Sequence, residues 1–190
     1  AAQRAVDALL RAPGDTVNFD EHWRARGPEG DPNETFYKTA GKRLFDVLVS
    51  LKSGDTTLDA SDLEIDLGSV KIIVRPHEKV RTKDGQTVIR RIWTGRKTSK
   101  ATDGLDAAAY QLAAGSDADV QFIFLTDADA SDINLSAQKL KNRQITIDEQ
   151  ASAISAGLFP AKPGHPCPRC PHFFICGDPP AGKLLRKNLS

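Results

Sequence analysis

The segment Leu63-Glu64-Ile65-Asp66-Leu67-Gly68-Ser69-Val70-Lys71-Ile72-Ile73-Val74 changes the period of the chain. Leu63, Ile65 and Leu67 alternate with polar residues, and so do Val70, Ile72 and Val74. Successive strand side chains point to opposite faces, so this alternation predicts half-buried strands. Upstream the period is helical: Tyr37, Ala40, Leu44, Val47, Leu48 and Leu51 fall on one stripe, predicting a helix from its N-cap Asn33 to about Lys52. Residues 1–12 have helical spacing too (Ala2, Val6, Leu9, Leu10), and residues 13–33, rich in Gly, Pro, Asp and Asn, read as a loop carrying Trp23. Downstream, a Lys83-Asp84-Gly85 turn leads into a strand over Val88 to Thr94. A helix is expected from about Asp103 to Ala114, a buried strand over Val120 to Thr126, and helices around 136–142 and 147–156. The order α, β-β-β, α, β, α predicts an α/β domain, a small mixed β-sheet flanked by helices. The 190 residues suffice for one domain with its own core. Residues 1–55 read as its helical N-terminal segment, 56–160 as the α/β core and 161–190 as a cysteine-bearing knuckle and tail.

The net charge of +1 conceals a segregation of charge. Residues 71–100 hold ten cations (Lys71, Arg75, Lys79, Arg81, Lys83, Arg90, Arg91, Arg96, Lys97, Lys100) against Glu78 and Asp84, a local excess of +8. Residues 117–132 hold Asp117, Asp119, Asp127, Asp129 and Asp132 with no Lys or Arg. Cations this dense on neighbouring strands point to a polyanion. Lys183, Arg186 and Lys187 read as a solvated tail. No apolar run approaches the length of a membrane span, so no membrane partner is expected. With no methionine, position 1 included, the chain is expected to be a processed protein or a piece of a longer one.

All three cysteines lie in His165-Pro166-Cys167-Pro168-Arg169-Cys170-Pro171-His172-Phe173-Phe174-Ile175-Cys176-Gly177. The tight turn of a C-x2-C aims two thiolates at one centre, and Cys176 can close over it. Cys167, Cys170 and Cys176 are therefore candidate ligands of Zn2+ or an iron–sulfur cluster. They are one short of the usual four, and His165 or His172 completes a Cys3His zinc site. The odd count and the lack of a signal peptide argue against disulfides.

From Ala156-Gly157-Leu158-Phe159-Pro160 to Cys176, the chain resembles the C-terminal end of RecB-family nuclease domains. These belong to the PD-(D/E)XK superfamily and accompany UvrD-like helicases or AddB-type helicase–nuclease subunits. The resemblance implies a restriction-endonuclease-like core and a [4Fe–4S] cluster whose fourth cysteine lies far upstream, and no cysteine precedes Cys167 here. In that family a β-hairpin carries a carboxylate on one strand and Asp-x-Lys-Thr-Gly on the next, and a following helix carries Gln-x3-Tyr. Residues two apart on a strand share a face, so the Asp and Lys both meet the scissile phosphate. The carboxylates there hold Mg2+, which activates water.

Laid on this chain, the hairpin is Ile73 to Val80 followed by Val88 to Gly95, with Thr94-Gly95 intact. Glu78 falls at the first carboxylate position, Arg91 at the Asp, Trp93 at the Lys, Asp106 at the Gln and Tyr110 at the Tyr. An arginine here puts a fixed cation where Mg2+ would bind, so no Mg2+ and no catalytic residues are expected. The resemblance thus implies an inactive nuclease-like domain that binds DNA, single-stranded or at junctions, through Arg75, Lys79, Arg81, Arg90, Arg91, Arg96 and Lys97. Its parent would be a cytoplasmic, ATP-dependent DNA helicase or repair protein. The motor would lie in another part of that protein or in a partner polypeptide, because no G-x4-G-K-[ST] occurs here. Two alternatives stay open: a live Mg2+-dependent nuclease using relocated Glu64, Asp66 and Glu78, and a protein-docking module. Trp93 reads as core packing in the vacated pocket, or else as a stacking platform for a base.

Overall fold

The computed structural model describes residues 19–26, 30–52, 54–68 and 70–158. The chain divides into two compact units, residues 1–149 and 150–190. The elements in chain order are α1 (Phe19–Arg26), α2 (Glu34–Leu51), β1 (Thr56–Leu58), β2 (Leu63–Asp66), β3 (Lys71–Val74), β4 (Glu78–Arg81), β5 (Thr87–Trp93), α3 (Ser99–Thr102), α4 (Leu105–Ala114), β6 (Asp119–Phe124), β7 (Asp129–Asp132) and α5 (Ala137–Ser155). This is a mixed α/β fold. None of the described helices is long and apolar enough to cross a membrane.

Five strands form one sheet in the order β1-β4-β5-β6-β7. All neighbours run antiparallel except β5 and β6, which are parallel with Ile89 opposite Val120 and Ile92 opposite Ile123. A parallel pair needs a crossover, and α4 lies within it. The opening segment forms a separate antiparallel pair, β2 with β3, matching Leu63 to Val74 and Ile65 to Ile72. The expected alternation holds, with Ile65 and Val74 buried while Glu64, Asp66, Lys71 and Ile73 face outward. The turn at 83–85 also forms, with Gly85 at φ +82° and its N–H donating to the Thr82 carbonyl.

Alternation along β5 assigns the two sheet faces. Ile92 packs with Leu48, Ile123 and Leu125 beneath α2, joined by Leu44, Val47 and Leu51. Ile89 and Trp93 belong to the opposite face, with Val120, Phe122 and Phe124 of β6 and Ala107, Ala108 and Tyr110 of α4. Ile65, Val74 and Ile147 complete that larger cluster. Alanines on α4 let the helix approach the sheet closely enough for Phe122 and Phe124 to be sealed from solvent. The ring of Phe122 meets Tyr110 edge-on at 5.4 Å.

Several expectations need correction. Residues 13–33 were expected as loop, yet Phe19–Arg26 is helical, because Phe19 and Trp23, four apart, bury one face against Tyr37 and Phe45 of α2. A Cβ at Gly41 would meet both aromatic rings at 3.4 Å, so α1 sits close against α2 there. Asn33 occupies the N-cap of α2 without a side-chain capping bond, and its N–H donates to Asp31 Oδ1 at 2.7 Å. The hairpin strand expected over Ile73 to Val80 is broken. Pro76, lacking an N–H, falls between β3 and β4, which belong to different sheets. The two helices expected after residue 136 are one, since no glycine or proline interrupts residues 143–146. Strands β1 and β7 were not anticipated. The expected helix over residues 1–12 and the knuckle and tail from 161 lie outside the described residues.

The core makes an unequal demand on its aromatic residues. Phe122→Ala should lower the free energy of unfolding by about 3–5 kcal/mol, measured by urea denaturation. Phe36→Ala, on the exposed side of α2, should stay within about 0.5 kcal/mol.

Candidate functional site

On β5, Arg91 and Trp93 are two apart and share the α4 face of the sheet; on α4, Asp106 and Tyr110 are four apart and share one helix face. The structure brings the four together. Arg91 Nη2 lies 3.1 Å from Asp106 Oδ2, with the arginine side chain 27% exposed and the aspartate 52%. The same guanidinium sits 4.5 Å from the Trp93 ring centroid and 5.4 Å from that of Tyr110. Tyr110 Oη donates to the Arg75 carbonyl at 2.6 Å, tying the end of β3 to this cluster. Burial pushes the Tyr110 hydroxyl above its ordinary pKa, and the charge of Arg91 opposes that rise. Trp93 packs against the larger core cluster, and its Nε1 is buried without a hydrogen-bond partner.

A second group of charges lies on the other face. Glu78 and Arg90 are cross-strand partners, 3% and 4% exposed. Lys52, at the C-cap of α2, places Nζ 2.5 Å from Glu78 Oε2. Arg90 Nη1 lies 3.6 Å from Glu78 Oε1, its Nη2 donates to Asp55 Oδ2 at 2.7 Å, and its Nε donates to Gln121 Oε1 at 2.8 Å. Gln121 in turn donates to Asp132 at 3.0 Å. His77 bridges the same strand: its ring Nδ1 accepts from the Ile92 N–H, and its backbone N–H donates to the Arg90 carbonyl. The Glu78 oxygens and Arg90 Nη1 lack aligned hydrogen bonds. Charge pairing therefore holds the carboxylate, with Lys52 and Arg90 balancing Glu78 and Asp55.

This arrangement changes the roles expected of several residues. Arg90 is not on the exposed surface expected of it: it is 4% exposed on the face of Val88 and Ile92, where Glu78, Asp55 and Gln121 enclose it. Glu78 is on the opposite face from Arg91 and Trp93, so it does not serve as a first carboxylate beside them. Nor does it meet Glu64 and Asp66, which are exposed on β2 in the other sheet. Glu64 pairs with Lys71 at 3.3 Å, and Asp66 accepts from the Gly68 N–H at 2.8 Å. Among the described residues, no group of three or more His, Cys, Asp or Glu is placed to hold a metal ion. Lys52, Asp55 and Gln121 were not anticipated as partners. The available signal was an arginine at the buried parity of an apolar strand, Val88-x-Arg90-x-Ile92.

The remaining cations divide by partner. Arg75, highly exposed, pairs with Asp62 at 3.1 Å. Lys97 pairs with Asp129 at 3.1 Å, and its N–H donates to Asp127. The Ser131 hydroxyl, then Lys97, holds the Asp129 carboxyl below its usual pKa. The basic and acidic segments thus partly neutralise one another. Lys79, Arg81 and Arg96 form no ion pair with an acid among the described residues. On β4, Lys79 and Arg81 alternate with Glu78 and Val80, and so share the α4 face with Arg91. Cys167, Cys170, Cys176, His165 and His172 lie outside the described residues. No protein-family model matches the chain, and no curated protein matches it.

The buried charge group is sensitive to losing one member. Glu78→Ala leaves Arg90 and Lys52 facing each other without their shared carboxylate. It should cost about 3–5 kcal/mol in urea denaturation, whereas Glu64→Ala on the exposed face of β2 should stay within about 0.5 kcal/mol.

Proposed function

We propose that this chain is a nuclease-like domain that binds DNA without cleaving it. The reading is carried by one observation. The antiparallel β4–β5 hairpin and the following α4 gather Arg91, Trp93, Asp106 and Tyr110, the positions at which the PD-(D/E)XK resemblance requires Asp, Lys, Gln and Tyr. A guanidinium in place of a metal-binding carboxylate repels a divalent cation. Each close pair of unit charges costs about 4 kcal/mol at 4 Å and an effective dielectric of 20. Asp106 is the acid paired with Arg91 there, and Trp93 has no amine with which to position a water. These residues do not fit Mg2+.

What the face offers instead is positive charge. Lys79, Arg81 and Arg91 share the α4 side of the hairpin, and the Arg75 backbone reaches them through Tyr110. Cations in such an array neutralise successive phosphates and release counterions. Arg96 and Lys97 extend the array beyond β5, while Arg90 is excluded from it. Trp93 packs against the core and supports the Arg91 guanidinium rather than offering a stacking platform.

In this reading the domain is an accessory of a cytoplasmic helicase-type repair protein, and the motor belongs to another region or a partner polypeptide. Thiolates of Cys167, Cys170 and Cys176 suit Zn2+ with His165 or His172, or a [4Fe–4S] cluster given a further thiolate. Either would fasten the C-terminal segment and supply no chemistry to the DNA.

Fluorescence anisotropy with labelled single-stranded and junction DNA tests the reading. Affinity should fall linearly with salt on logarithmic axes, and Lys79→Ala and Arg81→Ala should each reduce the slope by about 1. Supercoiled DNA should remain intact with Mg2+ or Mn2+. Absence of binding at low salt, with stable capture of a protein partner, would replace this reading with a docking module. Divalent-dependent cleavage by the wild-type chain, lost on chelation of the metal, would replace it with a live nuclease.

A further inference from the structure

The Arg91–Asp106 pair differs from the other ion pairs of the basic segment. Arg90 is locked among buried partners, and the Arg75 and Lys97 pairs are surface contacts between long, solvated side chains. Arg91 is instead positioned from below. Its guanidinium rests on the Trp93 ring, with Tyr110 alongside, and those rings are fixed by the core. The group is therefore preorganised independently of its carboxylate partner, and its rotamer entropy is already largely lost. Asp106 is more than half exposed and belongs to the first turn of α4, where the positive end of the helix dipole favours an anion. Nothing buries it, so leaving costs little desolvation. A carboxylate and a phosphodiester present the same planar fork of guanidinium donors with similar oxygen acceptors.

We infer that Asp106 is a built-in competitor for the Arg91 guanidinium, occupying it in the free protein and yielding it to a backbone phosphate of DNA. This rests on the DNA-binding reading above and adds a regulatory contact to it. The pair restrains affinity when one phosphate is offered and is displaced when a strand also engages Arg75, Lys79 and Arg81. Extended nucleic acid is thereby favoured over isolated anions, because flanking contacts raise the effective concentration of phosphate at Arg91.

The test is a double-mutant cycle on DNA affinity at low salt, using the full chain. Asp106→Asn preserves shape and should tighten binding about two- to fivefold. Asp84→Asn, with the same charge change in the exposed β4–β5 turn, should have a smaller effect. In an Arg91→Gln background, Asp106→Asn should lose its effect. Circular dichroism and urea denaturation establish that each variant is folded, and Asp106→Asn against Asp84→Asn decides the question even if Arg91→Gln does not fold. The inference is overturned alone if wild type binds DNA but Asp106→Asn weakens binding, leaves it unchanged or tightens it no more than Asp84→Asn. It is also overturned alone if the gain persists without Arg91. It falls together with the DNA-binding reading if neither wild type nor Asp106→Asn binds DNA at low salt.

Discussion

Two adjacent arginines on the central strand β5 carry opposite obligations, because a β-strand sends consecutive side chains to opposite faces. Arg90 turns beneath α2 and is enclosed by Glu78, Asp55 and Gln121. Arg91 turns toward α4, and its side chain stays partly exposed. The same alternation places Ile92 in one apolar cluster and Ile89 in the other. A one-residue slip of β5 would exchange both apolar sets at once, so the register is tightly specified.

The enclosed arginine ties together elements distant in the chain. Through it and Glu78, the end of α2, the following loop, β4, β5 and β6 share one charge-balanced group. Desolvation offsets much of the attraction inside such a group, so its net contribution to stability is modest while the penalty for breaking it is large. That asymmetry suits a positional role: the hairpin is held at a fixed setting against α2. Its opposite face then presents Lys79, Arg81 and Arg91 from a rigid support, which is what the proposed DNA-binding role would need.

Much of the fold was legible where periodicity was strong. The α2 stripe, the alternation from Leu63 to Val74, the turn at Gly85 and the buried strand at Val120 are all governed by local pattern and burial. Strand β7, Asp129–Asp132, has no apolar alternation and exists because β6 offers it a paired edge, a tertiary cause invisible in its own residues. Helix α1 was hidden by polar neighbours, although the spacing of Phe19 and Trp23 was its signal. Of the site, strand spacing put Arg91 and Trp93 on one face, and only the family resemblance implied that Asp106 and Tyr110 would join them. The separation of Glu78 from Glu64 and Asp66 was not legible, because nothing in their spacing announces that β2–β3 and β4 belong to different sheets. Counting cations could not separate buried Arg90 from part-exposed Arg91 for a similar reason: charge is a property of composition, but the direction of a side chain depends on register.

The central claim is that β5 divides its two arginines between a structural interior and a DNA-facing surface. Arginine-directed chemical modification followed by mass spectrometry, with and without DNA, reads both sides at once. The account requires Arg75, Arg81 and Arg91 to react in the free protein and to be shielded by DNA, while Arg90 stays unreactive in either state. Labelling of Arg90 as fast as that of Arg81, or labelling of Arg91 and its neighbours that DNA leaves unchanged, would contradict it.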